Sequence, residues 1–414
     1  MRIWLINPYG PLPGEAWRET RFASIGRNLA ARGHEVVWWT ANFSHHSKQF
    51  RSNGWATLRI SPKFLINLVP TESYSGHVSI RRLRFEAEFA FGVLREARRM
   101  SPSPDVIISA DATTAWGNVA VRMAKKLGAR LIIDVIDLWP EIFEGALPAA
   151  LRPLGPLLFS PLYWLRRRNL RHASGISAVS DSYLAVAERE RGRSRNPCQF
   201  TTVYWGCASA CDEAEHPANL TAWKEKLGKT QKDVFAVFAG TLGANYDIPT
   251  LLRAAQILSW KHKTIKFLIA GAGPRAESVR LAASSATNKN LIFLGELSVA
   301  DLRGVYALSD IGLCLYSTNS LVAMPIKFFD YVAAGLPIVN SLTGDIARYL
   351  AEKRIGLNYE SGDAQSLADA LVFLADDPVA RANMSARARL AAEEFDHDRQ
   401  YARLAEFVEV VAAN

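Results

Sequence analysis

The sequence predicts an α/β protein built from two doubly wound domains, each with a parallel sheet covered by helices on both faces. Three observations favour this fold class. The chain has 414 residues, which suits two domains of about 200 residues better than one. Both halves alternate short apolar strands with amphipathic helices, a pattern typical of parallel sheets. Acidic or glycine-rich turns follow several of these strands, at the edge where such sheets bind ligands.

The first half supplies its elements in a regular order. Apolar strands are expected at residues 3–6, 34–40, 105–109 and 130–135, and helices at 18–32, 80–99 and 115–127. Phe22, Ile25 and Leu29 recur at helical spacing, and Gly33 ends that helix. Residues 41–76 show neither the helix period nor the strand period, and we expect them to be irregular.

The second half repeats this logic. Strands are expected at residues 234–238, 265–269, 291–294, 311–316 and 337–340, with helices at 248–260 and 299–307. Glycine-rich turns follow the first two of these strands, at residues 240–243 and 271–274. Glycine at such a turn lets the backbone approach a phosphate group closely.

The net charge of +9 is spread unevenly along the chain. Residues 1–200 contain 28 Lys and Arg against 16 Asp and Glu, whereas the rest contains 21 against 24. A basic half favours an anionic substrate, an anionic lipid surface or nucleic acid. Because no nucleic-acid-binding motif accompanies the charge, we expect no nucleic-acid partner. With no apolar run long enough for a spanning helix and no signal-peptide pattern, a cytoplasmic location is expected.

The most informative pattern covers residues 311–340. A strand and a polar loop precede a short helix that carries Lys327 and Asp330 on one face, and Gly335 ends this helix. Unpaired N–H groups at the helix start favour an anion, and Lys327 adds a full positive charge. Asp330 can accept hydrogen bonds from hydroxyl groups. A diphosphate beside a ribose would suit this arrangement.

Residues 325–339, PIKFFDYVAAGLPIV, resemble the signature of the retaining glycosyltransferases of family 4. The resemblance implies the GT-B fold, in which two Rossmann-like domains face each other across a cleft. It implies an acceptor-binding domain at residues 1–204, onto which a last helix at 396–414 crosses back. It also implies a nucleotide-sugar-binding domain at residues 205–395.

The resemblance assigns donor binding to several short segments of the second domain. It implies contacts from Gly240, Thr241, Leu242, Gly243, Gly273, Leu294, Gly295, Glu296, Val322, Ala323, Met324, Pro325 and Asp330. Asp330 stands where the family has a glutamate that binds the ribose, and Val322 replaces the glutamate that holds the sugar. Thr241 and Tyr246 replace an arginine and a lysine, so we expect Lys327 to balance the phosphate charge.

In the first domain, the segment Asp137-Leu138-Trp139-Pro140-Glu141 is similar to one found in family members that build bacterial surface polysaccharides. Asp137 follows a buried strand, and we expect it to position or deprotonate the acceptor hydroxyl. Glu141 is the second candidate, and Asp111 is another acid in the predicted crevice. The resemblance also brings Gly14 and Arg18 near the donor phosphates or the acceptor.

Two basic, apolar segments of the first half, residues 80–99 and 147–172, indicate contact with an anionic membrane surface. In the first, Phe85, Phe89 and Val93 form the expected apolar face beside a row of arginines. The alternative is that this helix packs on the sheet with its arginines in water.

These features predict a metal-independent, retaining transferase without a cofactor, acting at the inner face of the cell membrane. We expect it to move a hexosyl or N-acetylhexosaminyl group, with a UDP-sugar as donor, to a lipid-linked or oligosaccharide acceptor in envelope polysaccharide assembly. A nucleotide-sugar 2-epimerase of the same fold is one alternative, although it needs a histidine that is missing near Asp111. A non-catalytic sugar-nucleotide-binding scaffold is another, because Val322, Thr241 and Tyr246 depart from the family pattern.

Overall fold

The computed structural model describes residues 1–15, 21–75, 80–97, 99–111, 114–194, 197–207 and 217–414. They form two compact units. The first unit is Met1–Tyr204 with Asp398–Asn414, and the second unit is Trp205–His397. Each unit has a mainly parallel sheet with helices packed on it, which confirms the predicted fold class.

The strands follow one another in the order that the sequence suggested, with additions at the sheet edges. They are β1 (Arg2–Ile6), β2 (Glu35–Ala41), β3 (Ala56–Ser61), β4 (Phe64–Val69), β5 (Val106–Ala110), β6 (Arg130–Val135), β7 (Gly175–Ala178), β8 (Gln199–Thr202), β9 (Val234–Ala239), β10 (Ile265–Ala270), β11 (Leu291–Gly295), β12 (Ile311–Cys314), β13 (Ile338–Asn340) and β14 (Gly356–Asn358).

Helices connect nearly all of these strands. They are α1 (Arg21–Ala31), α2 (Ile80–Ala97), α3 (Thr114–Leu127), α4 (Glu141–Ala146), α5 (Gly155–Leu158), α6 (Ser160–His172), α7 (Asp181–Arg191), α8 (Pro217–Leu227), α9 (Ile248–Lys261), α10 (Ala276–Ala283), α11 (Val299–Leu308), α12 (Ile326–Ala333), α13 (Asp345–Lys353), α14 (Ala364–Asp376), α15 (Pro378–Glu394) and α16 (His397–Ala413), with a 3-10 helix at Ala149–Leu154. Among the described residues, no helix is both long and apolar enough to cross a membrane.

The first unit has one sheet, whose described strands lie in the order β3-β4-β2-β1-β5-β6-β7-β8. β3 runs antiparallel to β4, and the other neighbouring pairs are parallel. The chain turns outward in opposite directions from β1 and β5. The loops that follow these two strands therefore open a crevice at the carboxyl edge of the sheet.

The described strands of the second unit are all parallel and lie in the order β11-β10-β9-β12-β13-β14. Here the order reverses between β9 and β12. The ligand crevice expected for this topology lies outside the carboxyl ends of those two strands. Both the glycine turn at residues 240–243 and the loop that leads to α12 start at this point.

The expectation of an irregular segment over residues 41–76 is wrong, because β3 and β4 form a hairpin there. Phe64, Ile66 and Leu68 point to one face of β4 and are buried in the core of the first unit. The ring of Phe64 occupies the space beside Gly26 of α1, where an added Cβ would lie 2.3 Å from a ring carbon. A contact distant in sequence therefore fixes this strand, and no local period indicates it.

Helix α2 covers residues 80–97, in one of the two segments that were expected to contact the membrane, and its apolar face is buried instead. Phe85, Phe89 and Val93 are fully buried, and the helix packs against α3 and against strands β2 and β4. The apolar face of α2 is therefore used by the core, as the alternative interpretation held. Among its large apolar side chains, Leu83 and Phe91 remain exposed.

A buried ion pair joins α1 to the centre of the first sheet. The guanidinium of Arg21 donates to both carboxylate oxygens of Asp134 at 2.7 and 2.8 Å and to the carbonyl oxygen of Val203 at 2.6 Å. Ser177 donates a further hydrogen bond to Asp134 at 2.6 Å. Since neither charged group is exposed to solvent, each depends on the other for its stability in the core.

Asp134→Asn should leave the buried charge of Arg21 without its counter-ion. We expect the free energy of unfolding to fall by about 3–5 kcal/mol. The control is Glu35→Gln, which removes the exposed ion pair with Arg2 and should change stability by less than about 1 kcal/mol. Urea unfolding followed by tryptophan fluorescence compares the two, and equal losses would contradict the assigned role of the buried pair.

Candidate functional site

Two glycine-rich turns lie against each other at the carboxyl edge of the second sheet. The amide of Gly240 donates to the carbonyl oxygen of Ala270 at 3.0 Å, and the amide of Leu242 donates to that of Ala272 at 2.8 Å. A Cβ at Gly271 would lie 1.9 Å from the carbonyl oxygen of Gly240. Glycine is therefore required for the turns to approach each other, and the same crowding applies to Gly273.

The ammonium group of Lys327 lies beside the first of these turns. A Cβ added to Gly240 would be 3.1 Å from Lys327 Nζ. The nitrogen faces the rings of Phe238, Tyr246 and Tyr316, whose centroids lie 4.1, 4.0 and 5.1 Å away. Among the described residues it has no hydrogen-bond partner, although the side chain is buried. Ring faces attract a cation but do not replace an anion.

Burial has a clear electrostatic consequence for Lys327. It lowers the pKa of the ammonium group from 10.5 to about 7, against smaller opposing effects of Cys314 and Asp330. The ammonium group therefore loses its proton far more readily than an exposed lysine does. An anion placed next to Nζ would favour the charged form and supply the missing partner.

These three rings are the main feature of the site that sequence reasoning missed. They come from β9, from the segment before α9 and from the segment after β12, so no short motif contains them. The one available signal was Tyr246, which stands where the resemblance would place a lysine. In the structure Tyr246 lies against Lys327 and also 4.8 Å, centroid to centroid, from Tyr316.

The segment that leads into α12 places the remaining residues expected near Lys327. Ala323 and Met324 are buried, Val322 is half-buried, and Pro325 takes an extended conformation directly before the helix. Asp330 follows Lys327 by about one turn on α12 and is half-buried. The structure thus brings Lys327, the helix start and the turn at Gly240 to one edge of the sheet.

The segment expected to bind a base covers the last residues of β11, at the edge of the same sheet, and the residue after them. Leu294 and Gly295 are half-buried, whereas Glu296 is exposed. The carbonyl oxygen of Gly295 accepts a hydrogen bond from the amide of Gly271 at 2.7 Å. Of the turn at residues 240–243, Leu242 is buried and Thr241 is exposed. At Leu294 and Gly295, the polar groups available to a ligand belong to the main chain.

Asp137 lies beyond the carboxyl end of β6 in the first unit. Burial raises the pKa of its carboxyl group, and the positive charge of Arg82 opposes this shift. The guanidinium of Arg82 lies 5.5 Å from the ring centroid of Trp139 and 5.3 Å from that of Tyr9. A carboxylate with a raised pKa beside a positive charge can accept a hydroxyl proton or orient the hydroxyl.

Tyr9, Arg82 and Glu86 form a second group that the sequence did not indicate. The hydroxyl of Tyr9 donates to Glu86 at 2.8 Å and accepts from Arg82 Nε at 3.1 Å. Tyr9 lies in the loop after β1, and the other two are four residues apart on α2. That spacing was the available signal, but it was interpreted as part of a membrane-facing helix.

Glu141, the second candidate base, is held by another side chain. Both of its oxygens accept hydrogen bonds from Arg166, at 2.7 and 2.8 Å. Asp111 lies at the end of β5, and burial raises its pKa to about 7, with Glu141 and Asp134 adding to the shift and Arg166 opposing it. Glu141 therefore serves mainly to fix Arg166, whereas Asp111 is a group that can exchange a proton near neutral pH.

Gly14 and Arg18 are the remaining residues that the resemblance assigned to the site. Gly14 follows β1 with a φ of 87° and nothing within 4 Å of an added Cβ, so it acts as a turn residue in open space. Arg18 lies outside the described residues. Within the described part of the chain, no group of three or more His, Cys, Asp and Glu side chains is placed to hold a metal ion.

Two family models match the chain, one in each half. Residues 19–201 match the glycosyl transferase 4-like domain, and residues 220–391 match the glycosyl transferases group 1. A curated relative, from Corynebacterium glutamicum, is a GDP-mannose-dependent monoacylated alpha-(1-6)-phosphatidylinositol monomannoside mannosyltransferase. It is 26% identical over 181 residues, which are 43% of this chain and 47% of that protein. The match thus spans about half the length of the relative.

Solved structures share the fold over the full chain. WaaG, a glycosyltransferase involved in lipopolysaccharide biosynthesis, is 15% identical with a TM-score of 0.69 and 99% of each chain covered. Sucrose-phosphate synthase from Thermosynechococcus elongatus is 16% identical with a TM-score of 0.72 and complete coverage of both chains. HepE from Anabaena, in complex with UDP, is 14% identical with a TM-score of 0.69, covering 99% of this chain and 100% of that one.

Lys327→Met should stabilise the second unit in a pH-dependent way. Because the folded pKa of about 7 lies below the ordinary 10.5, the unfolded chain binds more protons between these values. Wild-type stability should therefore rise with pH in this window, by up to roughly 1.4 kcal/mol per pH unit.

The advantage of the methionine variant should be largest at or below pH 7 and shrink towards pH 10. Urea unfolding between pH 6.5 and 9.5 measures this difference. The control is Lys261→Met, at an exposed position of the same unit, which should show no such trend. A pH-independent difference for Lys327→Met would mean that its ammonium group is solvated.

Proposed function

We propose that the chain, which is a glycosyltransferase of the GT-B type, moves a sugar from a nucleotide-sugar donor to a hydroxyl group with retention of configuration. The observation that carries this proposal is the buried, unpaired ammonium group of Lys327 beside the turn at Gly240. A diphosphate is the natural partner for such a group, because its oxygens would accept the hydrogen bonds that no described residue accepts from Nζ.

The donor would lie along the carboxyl edge of the second sheet. Its diphosphate would contact Lys327 and the start of α12, and its ribose hydroxyls would donate hydrogen bonds to Asp330. Backbone groups at Leu294 and Gly295 would bind the base, and the sugar would lie near residues 322–325. HepE has been solved with UDP and with UDP-glucose, and a trehalose-6-phosphate protein of E. coli with UDP-2-fluoro glucose, which supports a UDP-sugar. The mannosyltransferase relative makes GDP-mannose the competing donor.

Lys327 would act chiefly on the departing nucleoside diphosphate. Negative charge grows on the leaving phosphate as the glycosidic bond breaks, and a positive charge fixed in a dry aromatic surrounding stabilises it strongly. The proton of the acceptor hydroxyl would pass to the leaving phosphate on the same face of the sugar, which gives retention. We propose that this arrangement needs neither a metal ion nor another cofactor, because Lys327 and the helix start supply the positive charge.

The acceptor would bind at the carboxyl edge of the first sheet. Asp137 would orient its hydroxyl, with Asp111, Arg82 and Tyr9 in the same crevice. A lipid-linked or oligosaccharide acceptor of bacterial envelope polysaccharides is supported by WaaG, which is involved in lipopolysaccharide biosynthesis, and by the lipid-linked substrate named for the curated relative. A hexosyl group is the expected cargo, and the protein would work at the inner face of the membrane.

Thermal shift with UDP, GDP, ADP and dTDP tests the donor site first. One nucleotide should stabilise the wild type, and Lys327→Met should lose that shift and hydrolyse the matching sugar donor about 10²-fold more slowly. Lys261→Met, exposed on the same unit, should behave like wild type. A wild type that responds to none of these nucleotides would contradict the proposal.

Asp330→Ala should weaken binding of the preferred nucleotide by about 10- to 100-fold, the range expected for hydrogen bonds to a charged carboxylate. Calorimetry with the 2′,3′-dideoxy analogue is the control, because that ligand has no ribose hydroxyls to lose. If the variant weakened both ligands equally, Asp330 would act on the phosphate site and not on the ribose.

A further inference from the structure

Residues 151–164 of the first unit expose an unusual amount of apolar surface. Five large side chains, which we call the apolar patch, are 44–73% exposed: Leu151, Leu154, Leu157, Leu158 and Trp164. They belong to the 3-10 helix, α5 and the start of α6. Exposed apolar side chains grouped this closely in the chain indicate an interaction surface, whereas single exposed apolar residues need no explanation.

The stretch of sequence that contains the apolar patch carries charge of one sign. Residues 145–180 contain no Asp or Glu. Arg152 donates to main-chain oxygens, and Arg168 lies 5.6 Å from the ring centroid of Trp164. Neither arginine has a carboxylate partner among the described residues. Leucine and tryptophan bordered by unpaired arginines are suited to the headgroup region of an anionic bilayer, where each residue type finds its preferred surroundings.

The apolar patch is fixed to the loop that carries Asp137. Arg166 on α6 donates to the carbonyl oxygen of Trp139 at 2.6 Å and holds Glu141 with two hydrogen bonds. The hydroxyl of Tyr163 donates to Glu144 at 2.8 Å. Arg166 is buried, so these bonds are shielded from water. These bonds therefore connect α6 directly to the residues after Asp137.

A row of aromatic rings provides a second link between the same two segments. Phe143 packs at 4.8 Å from Trp139 and at 5.6 Å from Phe159, measured between ring centroids. Phe159 directly precedes α6 and follows the two exposed leucines of α5. These ring contacts thus link the apolar patch to the Asp137 loop within the first unit.

We propose that residues 151–164 dock on an anionic lipid bilayer, and that docking holds the Asp137 loop at the height of a lipid-linked acceptor's headgroup. This inference rests on the proposed function, in which Asp137 serves the acceptor. It assigns the membrane contact to the 151–164 segment and not to the apolar face of α2, whose phenylalanines are buried. The bilayer is preferred to a protein partner because its headgroup region accepts exposed leucines and arginines without a carboxylate partner together.

The test uses the full chain and vesicles of phosphatidylcholine with or without phosphatidylglycerol. Wild type should co-float with the anionic vesicles, less so at high salt. Leu157→Glu combined with Leu158→Glu should reduce binding at least tenfold, on the order expected for losing two buried side chains. Trp164→Ala should reduce it severalfold, whereas Trp260→Ala, at an equally exposed tryptophan of the second unit, should not.

Amide hydrogen exchange tests the link to Asp137 without knowledge of the acceptor. Anionic vesicles should slow exchange in residues 137–144 as well as 151–164 in the wild type, and in neither segment of the double glutamate variant. Slowing confined to 151–164 would overturn the proposed coupling. Unchanged flotation of the double variant, or stronger loss with Phe91→Ala than with Trp164→Ala, would overturn the docking surface.

Two further readouts separate this inference from its premise and from a protein partner. The thermal shift with the preferred nucleotide should be the same in wild type and in the double variant, which also shows that the variant is folded. Loss of flotation with a retained shift supports the docking surface. A wild type that binds nucleotide but not anionic vesicles overturns it and leaves the donor site standing. If the wild type were a dimer and the double variant a monomer, the apolar patch would be a protein interface. That result would overturn the bilayer as its occupant.

Discussion

An ammonium group buried without a hydrogen-bond partner among the described residues is the constraint on which the second unit's site depends. Lys327 is surrounded by aromatic rings and a glycine turn, and among the described residues no group accepts a hydrogen bond from its ammonium. Folding alone gains nothing from such a group, because desolvation opposes its charged form. The ligand that we propose for this site would bring the negative charge that accounts for its presence. The lowered pKa and the required glycine beside it follow from the same crowded, dry surroundings.

The glycine turns show how the parallel topology creates the space for that ligand. The strand order reverses between β9 and β12, so the loops after these two strands run in opposite directions. In this topology a crevice is expected at the carboxyl edge between them. Gly240 and Gly271 let the two neighbouring turns touch through their main chains. The charge of Lys327 then reaches this edge from α12, one strand away. The strand order, the two glycine turns and Lys327 thus together form the site at this edge.

In the first unit, arginines connect elements in an equivalent way. Arg21 ties α1 to the centre of the sheet through Asp134, and Arg166 ties α6 to the loop after β6 through Glu141 and Trp139. Both pairs are bidentate, which fixes orientation as well as distance. Asp137 therefore lies in a loop whose position is set by an exposed apolar segment on one side and by the sheet on the other. This is the physical basis for relating the surface of α5 and α6 to the chemistry at Asp137.

The sequence by itself determined the fold class and the nearness of Lys327 and Asp330, because alternation and helical spacing are local properties of the chain. Tertiary structure decided the rest. The rings around Lys327 come from three separate segments, the hairpin of β3 and β4 depends on a contact with Gly26, and α2 turned its phenylalanines inward. Apolar residues at helical spacing indicate that one face of a helix is apolar, but they do not indicate what packs against that face. Only the packed structure distinguishes a face buried by the sheet, as in α2, from one left to solvent, as in residues 151–164.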